Sequence, residues 1–312
     1  MMRTTSTLLL AIVLFASCNQ YQKTPTGLSY KITSSGSSTA KLKNGQFVKF
    51  NIEYKVPPKD SVLTSSYGHV PAYLVIDTAR PAKHSFLEII TKCAVGDKVE
   101  FSMSVDTLKK LGMIEYNNVF HARDMIKGRV EILKTFEKQE DAMADLAKEQ
   151  DLEKQREIKE LQDFTAKKGI KTISTPSGVL VEITTPGNPQ VKADSGMQVS
   201  AMYKGTFLNG VEFDSNMGKN NPNNQPLTVV IGGHGVIPGM EDAFRLFPKG
   251  SKGRMFIPAM LAYGQNGRAP QIPGYSNLVF EVEVLDITTP PPPAPQPQMP
   301  PMPNMPQQQP KH

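Results

Sequence analysis

The feature that most restricts how this 312-residue chain can fold is an ordered series of internal matches between its two halves. "TPTGLSYKI" (24–32) answers "TPSGVLVEI" (175–183), "NGQFVKFNIEY" (44–54) answers "SGMQVSAMYKG" (195–205), and "PAYLVI" (71–76) answers "PLTVVI" (226–231). "SFLEIITKCAVGDKVEFSM" (85–103) then answers "GMEDAFRLFPKGSKGRMFI" (239–257), with Gly96 and Gly250 in register, and "GRVEIL" (128–133) answers "EVEVL" (281–285). One such match is chance; five in the same order mark a duplication. Both copies hold short strand-like runs bounded by turn residues, and each keeps one helix slot, after Pro238-Gly239 in the second copy. The expected class is therefore α+β, with two like-folded domains, each an antiparallel sheet wrapped on a single short helix.

Between the copies, "EKQEDAMADLAKEQDLEKQREIKELQDFTAKK" (137–168) is dense in helix formers and free of Gly and Pro. Its apolar positions (Leu146, Leu152, Ile158, Leu161, Phe164) form a broken stripe without a heptad. Residues 136–170 are expected to be a solvated connecting helix. A dimerising arm, and with it a homodimer, is the alternative reading.

The chain's start sets the expected compartment. Arg3 precedes the apolar run "LLLAIVLFA" (8–16), too short for a membrane span and typical of a secretory signal. Cys18 after Ala-Ser resembles a bacterial lipobox, in which the Cys is lipidated and becomes the mature first residue. The expectation is a signal peptide over 1–17, a tether over 18–25, and a lipid anchor as the only membrane contact. The chain would sit in the cell envelope, at the outer membrane facing the periplasm. A plain signal peptide cut near Ala16 is the alternative. Cys93 would then be the sole remaining thiol, with no internal disulfide, and a lone apolar-flanked Cys reads as a small core residue. The five His (69, 84, 121, 234, 312) lack metal-ligand spacing, so no metal is expected. A net charge of +6 without a basic, aromatic-interleaved stripe gives no sign of nucleic-acid binding. The stretch 290–312, nearly half Pro, cannot build a core and reads as a disordered, polyproline II-biased tail acting as a spacer or as a ligand for a Pro-binding groove.

The second copy resembles the FKBP-type peptidyl-prolyl cis–trans isomerases over nearly all of 173–288. The specific pieces are "YKGTFLNGVEFDSN" (203–216), "VIPGMEDAF" (236–244), "KGSKGRMFIPAMLAYG" (249–264) and "IPGYSNLVFEVEVL" (272–285), in family order and spacing. The resemblance implies a bent antiparallel sheet around one helix over 171–289, with a proline side chain entering the apolar cleft between them. It implies Tyr203, Phe213, Asp214, Ile237, Tyr263 and Phe280 as the catalytic set, with Val236, Met240 and Leu227 lining the substrate site and Ile272 in a flap at its rim. Met240 stands where the family usually has Trp, and Leu227 where an aromatic is common. The floor stays apolar but becomes more adaptable.

The implied reaction is rotation about X-Pro bonds of unfolded or extended polypeptides, and it needs no cofactor, metal or nucleophile. In this picture the Ile237 N–H and the Tyr263 hydroxyl hold substrate carbonyls and Asp214 orients its neighbours. The first copy (26–135) lacks this equipment. Aligned through "DSVLTSS" (60–66), Thr64 falls on Phe213, Ser65 on Asp214, Ile52 on Tyr203 and Lys83 near Ile237, so polar groups are expected to wet its cleft. It is expected to be a non-catalytic FKBP-like domain. Two rivals stand beside the isomerase: a chaperone module that grips chains without turnover, and an envelope scaffold.

Overall fold

A computed structural model of the chain describes residues 20–36, 38–57, 61–79, 83–218, 225–268 and 271–290. The signal-like segment 1–17, Cys18 and the Pro-rich stretch from 291 onward lie outside the described residues. The fold is mixed, with helices and antiparallel sheets, and divides into two compact units, Met1–Arg156 and Glu157–His312.

The first unit holds strands β1 (Gln22–Lys23), β2 (Ser29–Thr33), β3 (Phe47–Val56), β4 (Ser61–Ser65), β5 (Ala72–Val75), β6 (Lys98–Ser104) and β7 (Met125–Phe136), with helix α1 at Val105–Lys110. The sheet runs β1-β2-β6-β7-β3-β4, and β5 also pairs with β3. Alternation decides which face is buried: in β6, Val99, Phe101 and Met103 point into the core while the intervening residues do not. The long helix α2, Gln139–Lys167, crosses from one unit to the next. The second unit follows with β8 (Ile173–Ser174), β9 (Leu180–Thr185), β10 (Asn188–Lys192), β11 (Gln198–Phe207), β12 (Glu212–Ser215), β13 (Leu227–Val230), helix α3 (Pro238–Phe244), β14 (Pro248–Lys249), β15 (Lys252–Ile257) and β16 (Leu278–Thr288). Its main sheet runs β8-β9-β15-β16-β11-β12, and β13 also pairs with β11.

Strand for strand the two sheet orders are the same, and the irregularities coincide. Both long pairs slip by one residue at equivalent places, between Lys49 and Phe50 in β3 and between Ser200 and Ala201 in β11. Gly96 and Gly250 both adopt positive φ (89° and 78°), which glycine takes without strain, and their N–H groups donate to Ile132 and Val284 carbonyls, each at 2.8 Å. Thr24 and Thr26 donate to Glu88 in one unit, and Ser177 donates to Asp242 at the matching place in the other.

Helix α1 stands where the second unit has the Tyr263 loop. Two details differ from the sequence reading. The helix slot of the first unit, Phe86–Lys92, is wound as a 3-10 helix. Helix α2 is not uniformly solvated, since Glu153, Glu157, Leu161 and Thr165, spaced four apart on one face, are all buried. In the first unit, Lys49 Nζ reaches Asp145 and Glu149 of α2 at 2.7 Å each, and the Tyr73 hydroxyl donates to Asp145 at 2.6 Å. In the second, Leu161 closes a small core with Leu180, Phe256 and Val279, flanked by Phe164.

Candidate active site

The site is built on the central pair of the second sheet. Along β11, Val199, Ala201, Tyr203 and Gly205 share one face, and β16 sets Phe280 opposite Gly205 and Val282 opposite Tyr203. Gly205 is required there. A Cβ would lie 2.7 Å from the Phe213 ring and 2.9 Å from that of Phe280, so only a bare backbone lets the two rings close over the strand. Between β11 and β12 the pairing jumps from Gly205 opposite Asp214 to Thr206 opposite Glu212, leaving Phe213 as an unpaired bulge residue. A bulge re-aims its side chain: the Phe213 ring meets Phe280 edge-on at 5.7 Å, and Phe280 lies 6.0 Å from Tyr203.

The second wall is the entry to α3. Pro238 opens the helix, where its missing N–H costs nothing, and holds Ile237 extended (φ −59°, ψ 143°). The Ile237 carbonyl accepts from the Met240 N–H at 2.9 Å, whereas its own N–H has no partner among the described residues. Val236 and Ile237 are half-buried against a core that includes Met240 and Phe280. Glu241, in the same first turn, accepts from the Gly232 N–H at 3.2 Å and so ties the preceding loop to the helix.

The third wall is the loop after β15, where a 3-10 turn (Ala259–Leu261) leads into Tyr263. Its hydroxyl has no partner among the described residues, and the Arg268 guanidinium stands 5.9 Å from its ring centroid. The Tyr203 hydroxyl is engaged instead, donating to Asp214 Oδ2 at 2.8 Å. Burial, and then the hydrogen bond to the Asp214 carboxylate, raise the Tyr203 hydroxyl above its ordinary value, so it stays a neutral donor.

Nine of the ten residues expected at the site belong to the hydrophobic core of the second unit, and the tenth is Asp214. Tyr203, Phe213, Val236, Ile237, Leu227 and Tyr263 pack on the core that contains Met240, Phe280 and Ile272, and Asp214 is held by Tyr203. Ile272 is 3% exposed and, together with Arg268 and Gln271, lines a cavity of about 200 Å³ beside Phe213 and Asp214. Reciprocal backbone bonds between Arg268 and Ile272 (2.7 and 2.9 Å) close this hairpin. Sequence reasoning missed Arg268 and Gln271. The only available signal was the Gly267 and Gly274 pair, whose bare backbones let the hairpin fold tightly.

The equivalent place in the first unit is filled, and by a different route from the one expected. The pairing sets Tyr54 opposite Thr64 and leaves Leu63 as the bulge residue, so Leu63 replaces Phe213 and Thr64 replaces Asp214, one position earlier than the linear alignment. Ile52 does match Tyr203, since they face Val130 and Val282 in like register. Phe280 becomes Gly128, and Gly205 becomes Tyr54. The Phe101 ring takes the vacated space, 2.1 Å from where a Gly128 Cβ would stand, with Tyr54 edge-on at 5.9 Å and Phe86 at 6.1 Å. The protein's own Phe101 and Tyr54 rings thus stand where the second unit has Phe280 and the bare Gly205.

The profile of the FKBP-type peptidyl-prolyl cis-trans isomerases matches residues 190–285. FkpA, an FKBP-type isomerase of Buchnera aphidicola, is 30% identical over 199 residues, which cover 59% of this chain and 74% of that one. The chain belongs to the FKBP-type isomerase family. The FKBP-type 22 kDa isomerase of Escherichia coli K12 is 37% identical over 130 residues (42% of this chain, 59% of the relative), and FkpA of the same organism is 38% identical over 128 residues (41% and 44%). The chain therefore spans only about half the length of these two FKBP-type relatives. The crystal structure of FkpA from Escherichia coli is similar over 47% of this chain and 66% of its own, with 27% identity and a TM-score of 0.36.

Proposed function

We propose that the second unit is a peptidyl-prolyl cis–trans isomerase acting on X-Pro bonds in unfolded or extended exported polypeptides. The observation that carries this reading is the pairing of an apolar, aromatic-lined site with two donors, the Ile237 N–H and the Tyr263 hydroxyl, that have no partner among the described residues. Rotation about an X-Pro bond is opposed by amide resonance, a barrier of roughly 18–20 kcal/mol. The twisted amide has lost that resonance and is less polar than the planar one. A water-poor site lined by Tyr203, Phe213, Val236, Met240 and Phe280 therefore favours it relative to the ground state. The two free donors hold the flanking carbonyls while the imide turns. Asp214 acts through Tyr203, fixing the hydroxyl and the ring, and takes no proton. Leu227 and Ile272 shape the periphery.

In the full reading, Cys18 carries a lipid anchor that holds the chain at the outer membrane, facing the periplasm. Two FKBP-like domains are joined by α2, and the first is non-catalytic because Phe101 and Tyr54 fill its cleft. The task is to shorten prolyl isomerisation, which otherwise takes tens to hundreds of seconds, during the folding of exported chains. Proline-limited refolding of a model substrate tests this. The full chain is expected to accelerate the slow phase, and Phe213→Ala to cut kcat/KM by roughly tenfold or more. Suppressed aggregation with an unchanged slow phase would replace the isomerase with a holding chaperone.

A further inference from the structure

Helix α2 enters the second unit at Glu157, and its side chains reach the loop that carries Tyr263. The 3-10 turn Ala259–Leu261 begins after Pro258, which supplies no side-chain cap. The first N–H groups of such a turn find no partner within it and need acceptors from elsewhere. The Met260 N–H donates to Glu157 Oε2 at 2.8 Å, a contact between residues 103 apart in sequence. The Ala259 N–H donates to Asn277 Oδ1 at 2.9 Å, and Asn277 Nδ2 donates in turn to Glu160 Oε2 at 3.0 Å. Both orphan donors of the turn are thus answered by one face of α2, directly through Glu157 and by relay through Glu160. On its other side the loop touches α3, since a Cβ at Gly239 would lie 3.2 Å from the Leu261 carbonyl oxygen and 3.4 Å from Leu261 Cβ. The turn is pinned between two helices, two residues before Tyr263.

The burial of Glu157 bears on what it does. It is 1% exposed and continues the stripe that holds Leu161 and Thr165. If packing were the only requirement, an apolar residue would serve there without the desolvation cost of a carboxylate. A carboxylate accepting from a backbone N–H is a short-range, directional, charge-assisted tie. It fixes where the Met260 peptide lies, and Tyr263 follows directly from that peptide.

We infer that Glu157, together with Glu160 acting through Asn277, is a positioning residue for Tyr263, so that the isomerase site includes the C-terminal third of α2. The inference rests on the reading of Tyr263 as a substrate-facing group. Its test uses the full chain, a proline-limited refolding substrate and amide hydrogen exchange of residues 258–263. Glu157→Ala is expected to lower kcat/KM about tenfold, as small misplacements of a substrate-holding group do. Glu157→Gln, whose amide oxygen still accepts from Met260, is expected to recover most of the rate. In a Tyr263→Phe background the Glu157→Ala loss should shrink to about twofold or less, because both substitutions act through one hydroxyl. Exchange at Met260 should quicken while β9 and β15 keep their protection. Glu160→Ala, at an exposed position, carries the same test with a smaller loss and little effect on folding. Losses that multiply in full, or a Met260 amide that exchanges no faster, would overturn the inference. If Phe213→Ala and Tyr263→Phe both leave the rate intact, the isomerase reading falls instead, and Met260 exchange alone decides whether Glu157 holds the loop.

Discussion

Leu161 is fully buried in the small core it forms with Leu180, Phe256 and Val279, and the neighbouring Phe164 ring lies 6.2 Å from that of Phe256. Replacing it with Ala removes three side-chain carbons from a site whose other walls are side chains of the paired strands β9, β15 and β16, so little collapse can refill the space. Buried Leu→Ala changes of this kind cost about 2–5 kcal/mol, and the poor prospects for relaxation place this one near 3. With a urea m-value of about 2 kcal/mol/M for a unit of this size, the transition midpoint of the second unit should fall by about 1.5 M. The first unit shares none of these contacts and provides an internal control. Hydrogen exchange followed by mass spectrometry across a urea series reads the two separately: peptides from β9, β15 and β16 should lose protection at lower urea, and those from β6 and β7 should not. A midpoint shift below about 0.3 M, or an equal shift in both units, would refute the claim that α2 forms part of the core of the second unit.

Two further perturbations probe the cleft and the first unit. Gly205→Ala inserts a methyl where the Phe213 and Phe280 rings already stand at 2.7–2.9 Å; it should displace both and lower kcat/KM about tenfold, and unchanged kinetics would mean that those rings do not shape the site. Burial disfavours charge on Asp145, but hydrogen bonds from Lys49, Tyr73 and Lys134 outweigh it and hold the carboxyl at about 2. A depressed folded-state value contributes stability above the unfolded value near 4 and loses it as pH falls through the folded one. Acid titration of the first unit by circular dichroism should therefore show this loss between about pH 4 and 2, absent in Asp145→Asn, and an unchanged acid profile in that variant would contradict the assignment.

How much was legible in the sequence depended on what encodes each feature. The duplication and both sheets could be read because strands and their glycine turns recur at fixed spacing, and Gly96 and Gly250 do make the same bond in the same register. The candidate site residues could be put forward because Tyr203, Phe213, Ile237, Tyr263 and Phe280 sit in motifs whose order survives. The buried face of α2 was hidden because two of its four innermost residues, Glu153 and Glu157, are carboxylates, which periodicity counts as solvent-facing. The one-residue shift that sets Leu63 against Phe213 arises from a bulge, which no linear alignment contains. The filling of the first cleft was equally opaque. It depends on bulk moving between facing strands, from position 128 to 101 and 54, and only the pairing register brings these together.

Affinity for an imide already twisted tests the central claim most directly. The probe is a prolyl ligand whose carbonyl is held perpendicular to the ring plane, compared by calorimetry with a planar X-Pro peptide of the same sequence. Binding about a hundredfold tighter for the twisted ligand is expected, lost in Phe213→Ala and located by chemical-shift changes at Tyr203, Ile237, Tyr263 and Phe280. Equal affinity for the two ligands, or tight binding located elsewhere on the chain, would contradict the claim that this cleft favours a proline bond in mid-rotation.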